Sequence, residues 1–202
     1  MTKIKLCGLS RVKDIETANA LQPDYIGFVF AAKSRRYIPP VEAAELKRLL
    51  LPGIRAVGVF VNEAPETVAR LLNEGVIDIA QLHGTEDEIT IRKLRGLTDR
   101  PLIQAFRIAS EADLRRAEAS SADEILLDAG AGTGTVFDWN LLLGAKRRYF
   151  LAGGLDPRMV RGAIRSLRPY GVDVSSGIET GGVKDPEKMA AFVAAVREEN
   201  AI

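Results

Sequence analysis

The chain has 202 residues, 47% of them hydrophobic, and its 28 basic and 27 acidic side chains leave a net charge of +1. A chain of this length can bury one substantial core, so we expect a single domain over residues 1–202. The balanced charge gives no electrostatic reason to expect a nucleic acid or an anionic membrane as a partner. The first residues lack the apolar core of a secretion signal, and no apolar run is long enough to span a bilayer, so we expect a cytoplasmic protein.

Cysteine and histidine each occur once, as Cys7 and His83. A single cysteine excludes an internal disulfide. Together the two residues are too few for a zinc or iron site, and a carboxylate site for magnesium stays open without support. The sequence therefore predicts no metal and no cofactor.

Strand and helix patterns alternate along the whole chain. Strands are expected at residues 3–7, 25–30, 56–61, 77–82, 102–106, 124–127, 149–152 and 172–174. Helices are expected at residues 12–21, 40–50, 65–73, 86–97, 110–119, near 138, and at 157–167 and 185–199. About eight such units predict an α/β fold of one (β/α)8 barrel, the TIM barrel. A doubly wound open sheet is the alternative, but it usually has fewer units and a glycine-rich loop after its first strand. Here the glycines concentrate after the sixth, seventh and eighth strands.

The last expected strand leads directly into Ser175, Ser176 and Gly177. Hydroxyls and unhindered backbone N–H groups at such a turn can bind an anion, and glycine permits close approach or a positive φ. An isolated Ser-Ser-Gly is more often only a turn. Near the end of a chain of barrel length, however, it lies where (β/α)8 enzymes hold a substrate phosphate. We therefore interpret it as part of a phosphate site.

Residues at the carboxyl ends of barrel strands share one face, and active sites lie there. The residues at those positions are Cys7-Gly8, Ser34 to Arg36, His83-Gly84, Asp128, Gly130 to Gly134, Gly153-Gly154 and Ser175 to Gly177. A thiol and a carboxylate without a second histidine suit proton transfer between carbon and oxygen better than acyl transfer.

Each of these side chains also has an ordinary structural interpretation. Cys7 could be a small buried hydrophobic residue, and Asp128 a helix cap or turn residue. Arg35 and Arg36 could be a solvated surface pair. For His83 a hydrogen-bonded position in the wall of the site is the preferred interpretation.

Several short segments carry a further signal when taken in order. They are KLCG (5–8), SRRYIPP (34–40), VGVFVN (57–62), QLHG (81–84), LD (127–128), GTG (132–134) with FDW (137–139), LAGGL (151–155) and GVDVSSGIETGGVKD (171–185). Each is weak alone, but the ordered set resembles the phosphoribosylanthranilate isomerase family along the whole chain. The resemblance implies a single-domain (β/α)8 barrel. It also implies the Amadori rearrangement of N-(5-phosphoribosyl)anthranilate to 1-(2-carboxyphenylamino)-1-deoxyribulose 5-phosphate, in tryptophan biosynthesis.

The resemblance assigns the general acid to Asp128 and the general base to Cys7. The acid needs a raised pKa, which burial beneath an apolar anthranilate ring could supply. The base needs thiolate character, which backbone N–H groups or a nearby cation would favour.

The same resemblance assigns the contacts with the substrate. Arg36 is expected to bind the anthranilate carboxylate, because its planar guanidinium suits a bidentate contact. The phosphate is expected on backbone N–H groups around Gly154, Ser176 and Gly177. The full expected substrate-binding set is Arg36, His83, Gly132, Gly134, Gly153, Gly154, Ser175, Ser176 and Gly177. No cofactor is implied, and both a monomer and a homodimer stay open.

Departures from the family pattern are small: Arg35 replaces a more usual Pro, Pro39 a Ser and Met159 an Asn, and Ala131 interrupts the glycines after the sixth strand. None removes a group that the chemistry needs.

Two other functions remain open. The first is the sister isomerase of histidine biosynthesis, which would be expected to show two strand-end Asp residues, a half-barrel repeat and a longer chain. Cys7 in place of the first Asp argues against it. The second is a non-catalytic phosphosugar-binding barrel, against which Cys7 and Asp128 both argue.

Overall fold

A computed structural model of the chain describes residues 1–130 and 139–201. Within them, eight parallel strands pair in chain order and close into a barrel, which confirms the predicted fold class. The strands are β1 (Lys3–Cys7), β2 (Tyr25–Val29), β3 (Arg55–Phe60), β4 (Ile79–Leu82), β5 (Leu102–Arg107), β6 (Glu124–Asp128), β7 (Tyr149–Ala152) and β8 (Gly171–Val174). Residues of β1 pair with both β2 and β8, so the barrel is complete.

Helices follow most of the strands and cover the outside of the barrel. They are α1 (Val12–Leu21), α2 (Pro40–Arg48), α3 (Pro65–Asn73), α4 (Glu88–Arg95), α5 (Glu111–Glu118), α6 (Val160–Leu167) and α7 (Pro186–Asn200). Between β6 and β7 the described residues form a short 3₁₀ helix, Trp139–Leu142. A second 3₁₀ turn, Ser176–Ile178, follows β8, and Glu179–Thr180 pairs with Val183–Lys184 in a small hairpin that the sequence analysis did not predict.

Side-chain caps explain where the boundaries differ from prediction. Helix α4 starts at Glu88 rather than at residue 86, because the Asp87 carboxylate accepts hydrogen bonds from the N–H groups of Ile89 and Thr90. Helix α6 starts at Val160 rather than at residue 157. There the Asp156 carboxylate accepts from the next two free N–H groups and holds a turn ahead of the helix.

Side chains in each strand alternate between the barrel interior and the helix-covered outside. In β1, Ile4 and Leu6 belong to the large core between strands and helices. Lys5 and Cys7 point the other way, and Cys7 packs with Val29 in a small interior cluster. The interior is therefore mostly apolar, but it also contains the buried polar side chains Lys5, Gln81 and Asp173.

No helix in the described ranges is both long and apolar enough to cross a membrane.

Candidate active site

The carboxyl ends of the strands surround a cavity of about 600 Å³. Most of the residues predicted from the sequence line it: Cys7, Arg36, His83, Asp128, Gly153, Gly154, Ser175 and Ser176. Gly177 follows them in the chain but does not line the cavity. Gly132 and Gly134 lie outside the described residues.

Cys7 ends strand β1 and is a buried free thiol. Its neighbour on β2 is Gly27, where a Cβ atom would lie only 2.7 Å from the cysteine Sγ, so glycine leaves room for the thiol. Burial raises the pKa of Cys7, and the nearby ammonium groups of Lys5 and Lys184 only partly offset it. The cations expected to favour a thiolate are therefore present and act in the expected direction, but burial outweighs them.

Lys5 is the first polar group beneath the thiol. It is fully buried in the barrel, and its Nζ lies 2.9 Å from Oδ1 of Asp173 on the neighbouring strand β8. Burial alone would lower the pKa of Lys5, but its interactions with the Asp173 carboxylate and with Cys7 raise it above its ordinary value. The floor of the site therefore contains a paired ammonium and carboxylate.

Asp128 ends strand β6. Its Oδ1 accepts a hydrogen bond of 2.7 Å from the Gly130 N–H, and its Oδ2 lies 3.4 Å from Nε2 of His83. Burial raises the pKa of Asp128, but His83 and the Gly130 N–H outweigh burial and bring it below the ordinary value. Gly153 packs its Cα against this carboxylate at φ +93°, where a Cβ atom would collide with Oδ1.

His83 also has a second polar contact, on the side away from Asp128. Its Nδ1 lies 2.7 Å from Nε2 of the buried Gln81, two residues earlier in β4. The predicted wall position of His83 is thus part of a connected row of polar groups that ends at Asp128.

Arg36 lines the cavity, and its guanidinium binds the carboxylate of Glu179. Its Nε donates to Oε1 of Glu179 at 2.6 Å, and its Nη2 donates to Oε2 at 3.0 Å. Lys184 and Arg35 bind the same carboxylate. Burial would raise the pKa of Glu179, but Arg36 and Lys184 lower it to about 2. The arginines are therefore not a merely solvated pair.

The two glycines near the expected phosphate site differ in role. Gly154 has φ +70° and open space where a Cβ atom would stand. In the part of the chain that the structure describes, the Gly154 and Ser176 N–H groups donate to no other group. Gly177, in contrast, is not among the described glycines with positive φ, and its Cβ position collides with the Leu155 carbonyl oxygen. Gly177 is thus required for close contact between the β7 and β8 loops. Of the two reasons expected for a glycine here, close approach applies and a positive φ does not.

Sequence reasoning missed Gln81, Lys5 and Asp173, which all have polar side chains inside the barrel. Each stands two residues before a predicted mouth residue, namely His83, Cys7 and Ser175. Because side chains in a strand alternate with a period of two, each pair shares the interior face. That spacing was the available signal. Among the described residues, no three His, Cys, Asp or Glu side chains are grouped to hold a metal ion.

Comparisons with known proteins agree with this geometry. The family described as N-(5'-phosphoribosyl)anthranilate (PRA) isomerase matches residues 4–195. The N-(5'-phosphoribosyl)anthranilate isomerase of Caldanaerobacter subterraneus subsp. tengcongensis is 44% identical over 204 residues, covering 98% of each chain.

Solved structures similar to this chain are isomerases of the same family. A phosphoribosyl anthranilate isomerase in complex with reduced 1-(o-carboxyphenylamino)-1-deoxyribulose 5-phosphate is 35% identical, with a TM-score of 0.85 and coverage of 98% of this chain and 100% of that one. Monomers generated from the dimeric isomerase of Thermotoga maritima are 36% identical, with a TM-score of 0.86 and the same coverage.

Proposed function

The chain belongs to the N-(5'-phosphoribosyl)anthranilate isomerase family of tryptophan biosynthesis, and we propose that Cys7 and Asp128 carry out its two proton transfers. The observation that supports this assignment is the cavity itself. A thiol from β1 and a carboxylate from β6 line the same space, at the face where barrel enzymes place their chemistry.

The rearrangement of N-(5-phosphoribosyl)anthranilate needs an acid and a base at separate atoms. Asp128 donates a proton to the ribose ring oxygen, so that the ring opens and C1′ becomes double-bonded to the anthranilate nitrogen. Cys7 then removes the proton from C2′, and the electron pair shifts to give an enolamine. Transfer of a proton from the C2′ hydroxyl to C1′ completes the ketose product, with no net gain or loss of protons.

The pKa directions set the proton balance of this pair. Burial keeps Cys7 as a thiol, whereas His83 and Gly130 keep Asp128 as a carboxylate at neutral pH. The reactive form has the opposite protonation, with Cys7 as a thiolate and Asp128 as a carboxylic acid. It is reached when one proton moves from Cys7 to Asp128. Lys5 and Lys184 favour that form, because both ammonium groups stabilise a thiolate at position 7.

Substrate contacts are assigned to opposite ends of the cavity. We assign the anthranilate carboxylate to Arg36, whose Nη1 is not used in the contact with Glu179. The phosphate is assigned to the N–H groups of Gly154 and Ser176 and the loop at Gly177. His83, Gly153 and Ser175 form the wall between the two ends, and Gly132 and Gly134 are expected to close the phosphate side.

We also propose an oligomeric state, a cellular location and a domain organisation for the chain, from general arguments rather than from the site. A dimeric relative is known, and we expect a monomer or a homodimer, which size-exclusion chromatography with light scattering distinguishes. The cytoplasm is proposed because its thiol pools would keep the catalytic Cys7 reduced. A single domain over residues 1–202 predicts one cooperative unfolding transition.

One assay tests the activity directly. The purified protein is added to phosphoribosylanthranilate, and the loss of the fluorescence of this anthranilate adduct is followed. Coupling to indoleglycerol phosphate synthase identifies the product. Fluorescence loss without a product that the second enzyme accepts, or no loss at all, would contradict the assignment.

A further inference from the structure

Lys184 lies behind the cavity, in the small hairpin that follows β8. It is buried, and it stands directly opposite Glu179 in that hairpin. Its main-chain carbonyl oxygen accepts a hydrogen bond of 2.7 Å from Arg11 Nη2 at the start of α1, which ties the hairpin to the barrel. Lys184 is not among the residues that line the cavity. Its influence on a bound substrate therefore passes through the residues that it contacts.

The buried ammonium makes three contacts, which is as many as it has hydrogens. Its Nζ lies 2.6 Å from Glu179 Oε1, 2.9 Å from the Ser175 carbonyl oxygen and 3.3 Å from Ser175 Oγ. A lysine has a flexible stem, but a head group whose donors are all used is held in one place. Lys184 is thus a fixed group rather than a mobile surface lysine.

The contact with Glu179 reaches the end of the cavity that is assigned to the anthranilate carboxylate. Glu179 holds Arg36 through Nε and Nη2, so the direction of the remaining Nη1 depends on where the Glu179 carboxylate lies. Lys184 binds Oε1, the same oxygen that accepts from Arg36 Nε. Because both cations meet at one buried oxygen, a change at Lys184 is transmitted to the guanidinium.

The contact with Ser175 reaches the end that is assigned to the phosphate. The peptide between Ser175 and Ser176 is trans and planar, so the Ser175 carbonyl and the Ser176 N–H point in opposite directions. With the carbonyl held toward Lys184, the N–H points away from it, and Ser176 lines the cavity. The Ile178 N–H also donates to this oxygen, at 3.4 Å, so Lys184 provides the shorter contact. Lys184 therefore helps to aim the N–H group assigned to the phosphate.

Lys184 is also close to the proposed base. Gly8 follows Cys7 in the chain, and a Cβ atom at Gly8 would lie 3.4 Å from Lys184 Nζ. The ammonium lowers the pKa of Cys7 and so partly offsets burial, which raises it. The other charged or titratable groups that face Cys7 are Lys5 on the same strand, Asp173 on β8, Arg36 after β2, and His83 and Asp128 across the cavity.

We propose that Lys184 is a positioning residue for the whole site: it orients the carboxylate-binding guanidinium and the phosphate-binding N–H of Ser176, and it supplies a fixed positive charge beside Cys7. The inference rests on the proposed function of these groups. It goes beyond that function because one residue outside the cavity connects both anions of the substrate with the base. Loss of Lys184 should therefore weaken both ends at once, whereas Arg36→Ala should affect only one.

Lys184→Met removes the ammonium and keeps an unbranched apolar stem. The variant should fold, because Glu179 keeps Arg35 and Arg36 as partners, and thermal unfolding checks this. We expect the inhibition constants of inorganic phosphate and of anthranilate both to rise, each about two- to tenfold, since each end loses a hydrogen bond that orients it. If only one of the two affinities changed, or neither, the proposal would be overturned.

The effect on the thiol is measured independently of turnover. Cys7 is the only cysteine, so alkylation by iodoacetamide at a series of pH values reports its thiolate alone. In Lys184→Met we expect alkylation at neutral pH to be about three- to tenfold slower and its midpoint to lie at higher pH, because a nearby cation favours the thiolate. An unmoved midpoint would overturn the electrostatic part of the proposal.

Lys184→Arg separates charge from geometry. A guanidinium keeps the positive charge, but its planar fork cannot direct donors to the same three oxygens as an ammonium does. We therefore expect the alkylation midpoint of Cys7 to stay near that of the wild type while both inhibition constants rise. A midpoint displaced as far as in Lys184→Met would show that the charge is not what Cys7 senses, and would contradict the proposal.

Lys188→Met is the matched control. Lys188 is exposed on α7, and its Nζ binds the main-chain carbonyl oxygen of Glu179 at 2.7 Å. Its loss removes the same charge from the same region and should leave both inhibition constants and the alkylation midpoint unchanged. Equal effects of the two lysines would overturn the proposal, because net charge alone would then explain them. If Cys7→Ala retained activity, the proposed base would be wrong, while the effect of Lys184 on the two ligands would still stand.

Discussion

The guanidinium of Arg36 holds the carboxylate of Glu179 through two parallel hydrogen bonds, with Nε 2.6 Å from Oε1 and Nη2 3.0 Å from Oε2. These residues are 143 positions apart in the chain. The contact joins the loop after β2 to the hairpin after β8, and Lys184 adds a second cation to the same carboxylate. The geometry of the aryl end of the cavity therefore depends on Glu179 as well as on Arg36.

Arg36→Ala should weaken binding of the anthranilate half and leave the affinity for inorganic phosphate almost unchanged. Loss of a charge-assisted contact should cost about 1.5–3 kcal/mol. Competitive inhibition by anthranilate analogues and by phosphate separates the two ends. Arg35→Ala is the control, because Arg35 binds Glu179 without lining the cavity. Lost phosphate affinity with retained aryl affinity would move Arg36 to the other end of the site.

Glu179 should make the stability depend on acid pH. Its pKa falls from 4.5 to about 2 on folding, so its contribution is fully present above about 4.5 and is lost as the pH falls toward 2. Urea unfolding across this range measures the effect. In Glu179→Gln the loss of stability between pH 4.5 and 2 should be smaller than in the wild type. An unchanged slope in the variant would show that the carboxylate is not held by its cations.

Cys7→Ala should lower turnover severely and leave the fold intact, because it removes a proton acceptor and little volume. A general base typically contributes ~10²–10⁴ in rate. Single-turnover kinetics measure the loss, and circular dichroism checks the fold. Turnover close to that of the wild type would mean that another group takes the C2′ proton.

Asp128→Asn should also lower turnover, since an amide cannot donate a comparable proton. With one acid and one base, the wild-type pH–rate profile should be bell-shaped. We expect the variant to lose one limb of the bell together with most of its activity. If it kept both, Asp128 would have a structural role only.

Gly177→Val should destabilise the protein as well as impair substrate binding. The new side chain collides with the Leu155 carbonyl oxygen, and overpacking of this kind typically costs about 1–3 kcal/mol. Thermal unfolding measures the loss of stability, and inhibition by phosphate measures the loss of binding.

Gly154→Ala is the comparison variant. Its Cβ would stand in open space, so any loss of stability comes from the backbone angle φ +70° alone. A crystal grown in phosphate or sulfate should place the anion against Gly154 and Ser176. An anion bound only elsewhere on the barrel face would refute the phosphate site.

The strands of the barrel could be predicted because their signals are local. The nearly continuous apolar run of β2 reflects burial on both faces of a parallel sheet. Ser110 and Asp185 cap their helices through their own side chains. The regular alternation then places the strand-end residues Cys7 and Asp128 on one face without further information.

Boundaries and contacts within loops could not be predicted in the same way. The hairpin of residues 179–184 has no apolar alternation long enough to show in the sequence. Its Glu179 binds Arg36 of the loop after β2, a contact between residues far apart in the chain. The collision that requires glycine at position 177 depends on how the β7 loop lies against it.

The sequence by itself determined the fold class, the family and the residues that line the mouth, because strand period and motif order are properties of neighbours in the chain. Only the tertiary structure decided the protonation of those residues. The pKa directions of Cys7 and Asp128 depend on burial and on charges from other strands. The row from Gln81 to Asp128 depends on the closure and register of the barrel. Electrostatic and hydrogen-bond energies change steeply with distance, and these distances are fixed only when the barrel closes.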